Sequence, residues 1–201
     1  MISKIASNIV DVLIRNEVIE EKARLAYQYG WELLLSSVLS GIIIISCGFI
    51  FDDFLAALLF LVLFVLLRWL CGGYHADSYK KCNLICAFTT IFVLLCYKII
   101  PLIQYEGLHY CCIALSILIT ILYSPIENVN KPLTSNKKKI FRILSIIMVT
   151  VLSIASCILM IKYLSQYSIL IDMTLLVVTV SMLITDLKRG GNKICTMFTR
   201  R

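Results

Sequence analysis

The stretch that decides the fold class is FLAALLFLVLFVLLRWLCGG, residues 54–73. Within it, residues 54–70 carry a single charge, on Arg68, and an apolar run of roughly 20 residues is the length that a helix needs to cross a bilayer. Gly72 and Gly73 then permit backbone angles that end a helix. We therefore expect a membrane-spanning helix that breaks at the double glycine.

Comparable apolar runs recur along the whole chain. It has 201 residues, of which 60% are hydrophobic and 15% charged, and a mean hydropathy of +0.93. A soluble domain of this length needs a more polar surface. The predicted spans are 33–50, 54–70, 83–103, 109–124, 141–163 and 168–186. The sequence therefore predicts one domain, 1–201, with the fold of an all-α, polytopic membrane protein with six transmembrane helices.

The N-terminal segment 1–28 has a different pattern. Ile2, Ile5 and Ile9 recur at helical spacing, while Lys4 lies on another face. This pattern is typical of an amphipathic helix that lies in the membrane interface.

The basic residues alternate between loops. The net charge is +7, and lysines and arginines precede the first span, follow the second and sixth, and cluster in a basic loop at 125–142. The positive-inside rule then places both termini in the cytoplasm of a cell-membrane protein. Attraction to anionic membrane lipid explains most of this charge, and no soluble fold is present to support nucleic-acid binding.

The stretch RWLCGGYHADSYKKC, residues 68–82, gathers polar and reactive groups at the cytoplasmic membrane surface. Asp77 or Ser78 would cap the helix that becomes the third span, which places Cys82 in its first turn. The helix dipole and nearby basic side chains, including Arg68, favour a thiolate there. His75 is the candidate base.

The spacing of this pair makes a structural demand. On one straight helix, His75 and Cys82 would stand about 10 Å apart, so a hydrogen-bonded pair requires the chain to fold back. Two alternatives stay open: a polar membrane anchor, and a zinc site formed by Cys71, His75, Cys82 and Cys86. His109, beside Cys111 and Cys112, is interpreted as an interface residue with little polar chemistry around it.

The same fifteen residues resemble the signature of the accessory gene regulator B family, whose members are membrane-embedded cysteine endopeptidases that process quorum-sensing propeptides. The matching positions are Arg68, Gly72, Gly73, Tyr74, His75 and Cys82. YQYGWELLL at 27–35 and SPIENVNKPL at 124–133 resemble further segments of the family.

The resemblance implies a mechanism, partners and site residues. Cys82 would be the nucleophile and His75 the base, with no cofactor and no metal, and the product a thiolactone or lactone peptide cut from an AgrD-like propeptide. The candidates for stabilising the oxyanion or for another supporting role are Arg68, Gly72, Gly73 and Asp77. The acidic propeptide tail would meet the basic residues Lys131, Lys137, Lys138, Lys139 and Arg142.

The competing class is a non-enzymatic polytopic protein, an exporter or scaffold with a structural zinc site. The spans are nearly free of ionisable residues, with Asp172 and Lys162 near the outer ends, which counts against ion transport. A homodimer is a further expectation, because small residues let helices approach closely. Those residues are Ser36, Ser37, Ser40 and Gly41.

Overall fold

The structure is a computed structural model that describes residues 2–72, 78–100, 106–126, 134–162 and 164–198, with side chains as far as residue 187. Every regular element within these ranges is helical, which confirms the all-α prediction. The helices are α1 (Ile2–Arg15), α2 (Arg24–Ile50), α3 (Phe54–Cys71), α4 (Tyr79–Ile99), α5 (Glu106–Tyr123), α6 (Ser135–Ile161) and α7 (Ser165–Phe198), with a 3-10 turn at Glu21–Ala23.

Helices α2 to α7 are long and apolar enough to cross a membrane, as expected of a multi-pass membrane protein. Large apolar side chains such as Val62, Phe88 and Ile147 stand exposed on their outer faces. Five of these helices begin before the corresponding predicted spans, and the largest differences are at α2, which begins at Arg24, and α6, which begins at Ser135. Their polar first turns lower the local hydropathy without interrupting the helical hydrogen bonding.

The N-terminal segment is shorter than the predicted 1–28, because α1 ends at Arg15. Its small apolar residues, Ala6 and Val10, are fully buried in the contact with α2. An ion pair of 2.6 Å between Arg24 Nη1 and Asp11 Oδ1 holds α1 to the start of α2. The amphipathic helix is therefore present, and its place in a membrane interface stays a prediction.

Helix α7 lies at the centre of the bundle. It packs against α3, α4, α5 and α6, and 61% of its span is buried, the largest share among the six long helices. Helix α2 lies further out, against α3 and α4, and α1 covers α2. The space between α2, α3 and α4 is thus open to a ligand in a way that the surroundings of α7 are not.

Successive long helices run in alternate directions, so the bundle has two chemically distinct ends. One end, which we call the Cys82 end, holds the end of α3 and the starts of α4 and α6, as the edge-on contact of Trp69 with Phe141 shows. The opposite end, the His109 end, holds the start of α7, where Tyr167 lies 6.1 Å from the Tyr97 ring at the end of α4. The side of a membrane that each end faces stays a prediction.

Candidate active site

Helix α3 ends where the double glycine predicts. Gly72 caps it with φ 77°, a backbone conformation that favours glycine. The Ile126 backbone N–H donates to the Cys71 carbonyl at 2.9 Å, and a Cβ on Gly72 would collide with the Ile126 carbonyl oxygen. Position 72 therefore requires glycine for two reasons, its positive φ and the close approach of the chain after α5. Gly73 lies outside the described residues.

The start of α4 places Cys82 in the first turn, as predicted. Ser78 is the N-cap, and its hydroxyl accepts from the Lys81 N–H at 3.4 Å. The Cys82 N–H donates to the Ser78 carbonyl at 3.0 Å. Asp77 and His75 lie outside the described residues, so the fold-back of His75 onto Cys82 stays a prediction.

Arg68 reaches across from the last turn of α3 to Cys82. Its Nη2 lies 3.9 Å from the Cys82 Sγ, and its guanidinium carbon lies 5.6 Å above the Phe64 ring. A guanidinium stacked on an aromatic ring is held in orientation while its N–H groups remain directed at a partner. The positive charge and the thiol are thus brought together from two helices.

Cys82 and Arg68 both line a cavity of about 480 Å³ between α2, α3 and α4. The segment after α5 closes one side through Pro125 and Ile126, and Phe141 of α6 contributes another wall. This volume lies within the range of roughly 300–1,000 Å³ that is usual for small-molecule sites. The thiol therefore faces a space large enough for part of a substrate.

The α2 wall of this cavity is polar and small. Ser36, Ser37, Ser40 and Gly41 all line it, and the hydroxyls of Ser36 and Ser40 donate to the Asn83 Oδ1 at 3.3 and 2.9 Å. Two of the residues that favoured contact between two copies, Ser36 and Ser40, thus join α2 to α4 within one chain. A homodimer stays a prediction.

A second link between α2 and α4 involves residues that the sequence did not single out. The Tyr79 hydroxyl donates to the Glu32 Oε2 at 2.9 Å. Asn83, the acceptor in the first link, directly follows Cys82 and is buried. The available sequence signal was a polar residue inside each apolar helix, because such residues need a partner there. Both links lie within one turn of Cys82.

The proposed zinc ligands do not converge in the described part of the chain, where no three metal-binding side chains form a cluster. Cys82 and Cys86 line the cavity. Cys71 is fully buried and its thiol meets the Ser145 hydroxyl of α6. The remaining proposed ligand, His75, lies outside the described residues.

Comparisons with known proteins identify the family to which the chain belongs. The family model described as Accessory gene regulator B matches residues 6–184. The chain belongs to the accessory gene regulator B family. This confirms the resemblance that the residues around Cys82 carry.

Three curated relatives show how far the similarity extends. A putative AgrB-like protein 2 of Clostridium perfringens strain 13 and a putative AgrB-like protein of strain SM101 are each 28% identical over 117 residues, 56% of this chain and 55% of theirs. The accessory gene regulator protein B of Staphylococcus haemolyticus is 28% identical over 132 residues, 66% of this chain and 69% of its own. The match thus spans about half the length of the clostridial relatives. No solved structure matches the chain.

The basic residues of this family member lie mostly on a helix, which corrects the expectation of a basic loop over 125–142. Helix α6 begins at Ser135, so its first two turns carry the exposed side chains of Lys137, Lys138 and Lys139. The Arg142 Nη2 donates to the Ile121 carbonyl in the last turn of α5 at 2.9 Å. Lys131 lies outside the described residues.

The interpretation of His109 as an interface residue was wrong. His109 and Asp172 are both fully buried, with 2.6 Å between the His109 Nδ1 and the Asp172 Oδ2. The Ser156 hydroxyl donates to the Asp172 Oδ1 at 2.7 Å, and the Ser168 hydroxyl lies 2.8 Å from that of Ser156. Asp172 thus lies inside the bundle, where four polar side chains of α5, α6 and α7 form one network, which we call the His109 cluster.

Proposed function

We propose that this chain is a membrane cysteine endopeptidase that cleaves a quorum-sensing propeptide through a thioester on Cys82. The observation that carries the proposal is the Cys82 thiol in the first turn of α4, facing a cavity with the Arg68 guanidinium 3.9 Å away. A basic side chain beside the sulfur and a position at a helix N-terminus are the surroundings typical of reactive cysteines. Membership of a family that acts in quorum-sensing accessory gene regulation supports a peptide substrate.

The proposed reaction has two acyl transfers. The Cys82 Sγ attacks a backbone carbonyl carbon while His75 takes the thiol proton, and that proton then passes to the leaving amine as the peptide bond breaks. A cysteine or serine of the bound peptide next attacks the thioester, forms the thiolactone or lactone ring and returns the proton to Cys82. Hydrolysis competes with ring closure, so a cavity that limits water favours the cyclic product.

Arg68 is the proposed stabiliser of the negative charge that develops during attack. The N–H groups of Cys82 and Lys81 already donate to the carbonyl and hydroxyl of Ser78. The guanidinium is a donor beside the reacting sulfur that α3 supplies independently of this cap. A donor held in place before the reaction lowers the barrier because no reorganisation is needed.

The basic start of α6 is the proposed contact for the acidic tail of the propeptide. Lys137, Lys138 and Lys139 are exposed at the Cys82 end of the bundle, where they raise the local concentration of an anionic segment. Lys80 and Lys81 directly precede Cys82 and are exposed at the same end. By the positive-inside rule we place this end, and the proposed active site, near the cytoplasmic face of the cell membrane.

The test is coexpression of the chain with the propeptide encoded nearest its gene, followed by mass analysis of the peptide. We expect cleavage by the wild type, loss of cleavage in Cys82→Ala and Cys82→Ser, and a covalent peptide adduct on wild-type Cys82. Cys111→Ala is the matched control, because Cys111 is an exposed cysteine near the start of α5, at the His109 end.

Two results would contradict the proposal. Cleavage that persists in Cys82→Ala removes the nucleophile from the mechanism. Cleavage that is lost on treatment with a zinc chelator, and restored by zinc, favours the metal-site alternative instead.

A further inference from the structure

A second cysteine lies one helical turn from the Cys82 thiol. Cys86 follows Cys82 by four residues on α4, and residues at this spacing lie on the same face of a helix with about 5–6 Å between their Cβ atoms. Among the cysteines that the structure describes, only these two line the cavity between α2, α3 and α4, and both are free thiols. The proposed acyl transfers use Cys82 alone, so the second thiol has no part in them.

The surroundings of the two thiols differ. Cys82 is partly exposed and lies 3.9 Å from the Arg68 Nη2. Cys86 is buried, and its thiol meets the Ser40 hydroxyl of α2. An accessible cysteine beside a basic side chain is the kind that oxidants reach first, and redox-sensing cysteines commonly have a second cysteine nearby that reacts with the oxidised form. The geometry thus distinguishes an attacked thiol, Cys82, from a resolving thiol, Cys86.

We propose that Cys82 and Cys86 form a reversible disulfide when the protein meets hydrogen peroxide, and that this disulfide switches off the nucleophile. The regulatory part of the inference rests on the proposed function, because it assigns a control of the same thiol. The disulfide itself does not depend on that function. The cavity of about 480 Å³ is large enough to admit the peroxide to the sulfur.

The oxidation takes two steps. In the first, the Cys82 thiolate attacks one oxygen of hydrogen peroxide, the O–O bond breaks and hydroxide leaves, which converts the thiolate to a sulfenic acid. In the second, the Cys86 sulfur attacks the Cys82 sulfur, the S–O bond breaks, and the leaving hydroxide takes the Cys86 thiol proton to become water. Peroxide is thus reduced by two electrons and the pair of thiols is oxidised by two.

The first turn of α4 supplies the movement that the disulfide needs. Disulfides require about 3.5–4.5 Å between the Cβ atoms, so Cys82 and Cys86 must approach by about 1–2 Å. The Cys82 N–H makes the first backbone bond of the helix, to the Ser78 carbonyl at 3.0 Å. The cap bond from the Lys81 N–H to the Ser78 hydroxyl is long, at 3.4 Å. Few bonds therefore hold this turn, and unwinding it brings Cys82 toward Cys86.

The disulfide would also protect the nucleophile. A sulfenic acid that meets more peroxide becomes a sulfinic acid, which thiols do not reduce. A disulfide is returned to two thiols by exchange with another thiol. With Cys86 in place, peptide processing stops in the presence of the oxidant and resumes after reduction.

The experiment treats the full-length chain, in phospholipid nanodiscs, with a small molar excess of hydrogen peroxide and then blocks the remaining thiols with N-ethylmaleimide. Trypsin and chymotrypsin release residues 82–88, which contain Cys82 and Cys86 but not Cys96. In the mass spectrum, the disulfide form lacks the blocking groups and is two hydrogens lighter than the reduced form. A second sample is reduced with dithiothreitol before blocking, which measures recovery of the Cys82 thiol.

Two variants complete the design. Cys86→Ser removes the resolving thiol. Cys96→Ser is the matched control, because Cys96 is a free cysteine further along the same helix and does not line the cavity.

We expect the disulfide to be the main product in the wild type and in Cys96→Ser, with the Cys82 thiol recovered by dithiothreitol. Cys86→Ser should form no disulfide within residues 82–88, and most of its Cys82 should become sulfinic acid that dithiothreitol does not restore. Propeptide cleavage by the wild type should be lost with peroxide and return on reduction.

Peroxide-treated wild type without the disulfide overturns the inference, and this result does not depend on the folding of any variant. Equal recovery of the Cys82 thiol in Cys86→Ser and in the wild type also overturns it. Cleavage that continues after the disulfide has formed contradicts the regulatory part.

Propeptide cleavage by the reduced protein separates the two proposals. A reduced chain that cleaves its propeptide, but forms no disulfide with peroxide, loses only the switch. A chain that forms the disulfide, but cleaves no propeptide when reduced, loses the peptidase and with it the regulatory role of the cysteine pair.

Discussion

Two regions of the molecule combine a cysteine or histidine with polar partners, and they differ in access. At the Cys82 end, the thiol and Arg68 face a cavity of about 480 Å³. At the His109 end, His109, Asp172, Ser156 and Ser168 are all buried and bonded to one another. The first arrangement leaves room for a substrate, whereas the second is filled by the protein itself.

Access to the reactive atoms separates a candidate site from a structural network in this membrane protein. A buried polar group in an apolar bundle requires partners, and the His109 cluster meets that requirement across three helices. Reactive residue types alone did not distinguish the two regions. The presence of space beside the reactive atom does, and the variants below test whether this contrast extends to function.

The two histidines provide the largest contrast. We expect His75→Asn to lower propeptide cleavage by about 10²–10⁴-fold, the usual contribution of a general base, while the amount of folded protein stays near that of wild type. We expect His109→Asn to lower the amount of folded protein and to leave cleavage per folded protein near that of wild type, because it disturbs a buried network and no reacting group. The measurement is cleavage rate per folded protein, with the folded amount taken from size-exclusion chromatography. Equal losses of specific activity in both variants would contradict the functional distinction between the two histidines.

The His109 cluster should respond more to removal of one partner than to removal of both. Asp172→Leu alone leaves His109 and Ser156 with a lost partner, and breaking a buried pair in this way costs about 3–5 kcal/mol of unfolding free energy. His109→Leu with Asp172→Leu together should cost less than the sum of the two single changes. Unfolding of all three variants in detergent micelles measures this coupling. Additive losses would mean that the pair contributes little beyond its separate packing.

Arg68 tests the proposed charge stabilisation at the Cys82 end. We expect Arg68→Leu to lower kcat/KM for propeptide cleavage by about 10²-fold, the order seen for loss of one donor to an oxyanion. Arg68→Lys should retain part of the activity, because an ammonium keeps the charge but not the fork of donors. Lys98→Gln removes a basic residue at the opposite end, where it bonds the Phe51 carbonyl, and serves as the control. A cleavage rate in Arg68→Leu that equals the control would remove Arg68 from the mechanism.

The smallest effect is expected for the link between α2 and α4 behind Cys82. Asn83→Ala removes the acceptor for Ser36 and Ser40, and each neutral hydrogen bond contributes about 0.5–1.5 kcal/mol to the unfolding free energy. Ser153→Ala is the control, because that hydroxyl bonds only a carbonyl of its own helix among the contacts described. A double-mutant cycle of Asn83→Ala with Ser40→Ala measures the cross-helix coupling. No coupling would show that the two helices are held by packing alone.

Local features of the site were predictable from the sequence. The end of α3 at Gly72 follows from a backbone preference that acts over a few residues, and so does a cap of α4 at one of two neighbouring residues, of which the structure has Ser78. The His109 error has the complementary cause: a hydropathy pattern averages along the chain, and the partner of His109 lies 63 residues away. The same holds for Glu32 and Asn83, whose partners lie 47 and 43 residues away.

The amino-acid sequence alone predicts six long apolar helices, one of which ends at Gly72, because apolar length and glycine at a helix end act locally. Three features depend on tertiary packing: Arg68 lies beside Cys82, Gly41 lines the same cavity, and His109 is buried against Asp172. Those contacts join different helices, and their geometry depends on how the helices pack around α7. Side-chain packing between distant segments has no periodic signature along the chain, which is why one sequence predicts the helices but not the pocket between them.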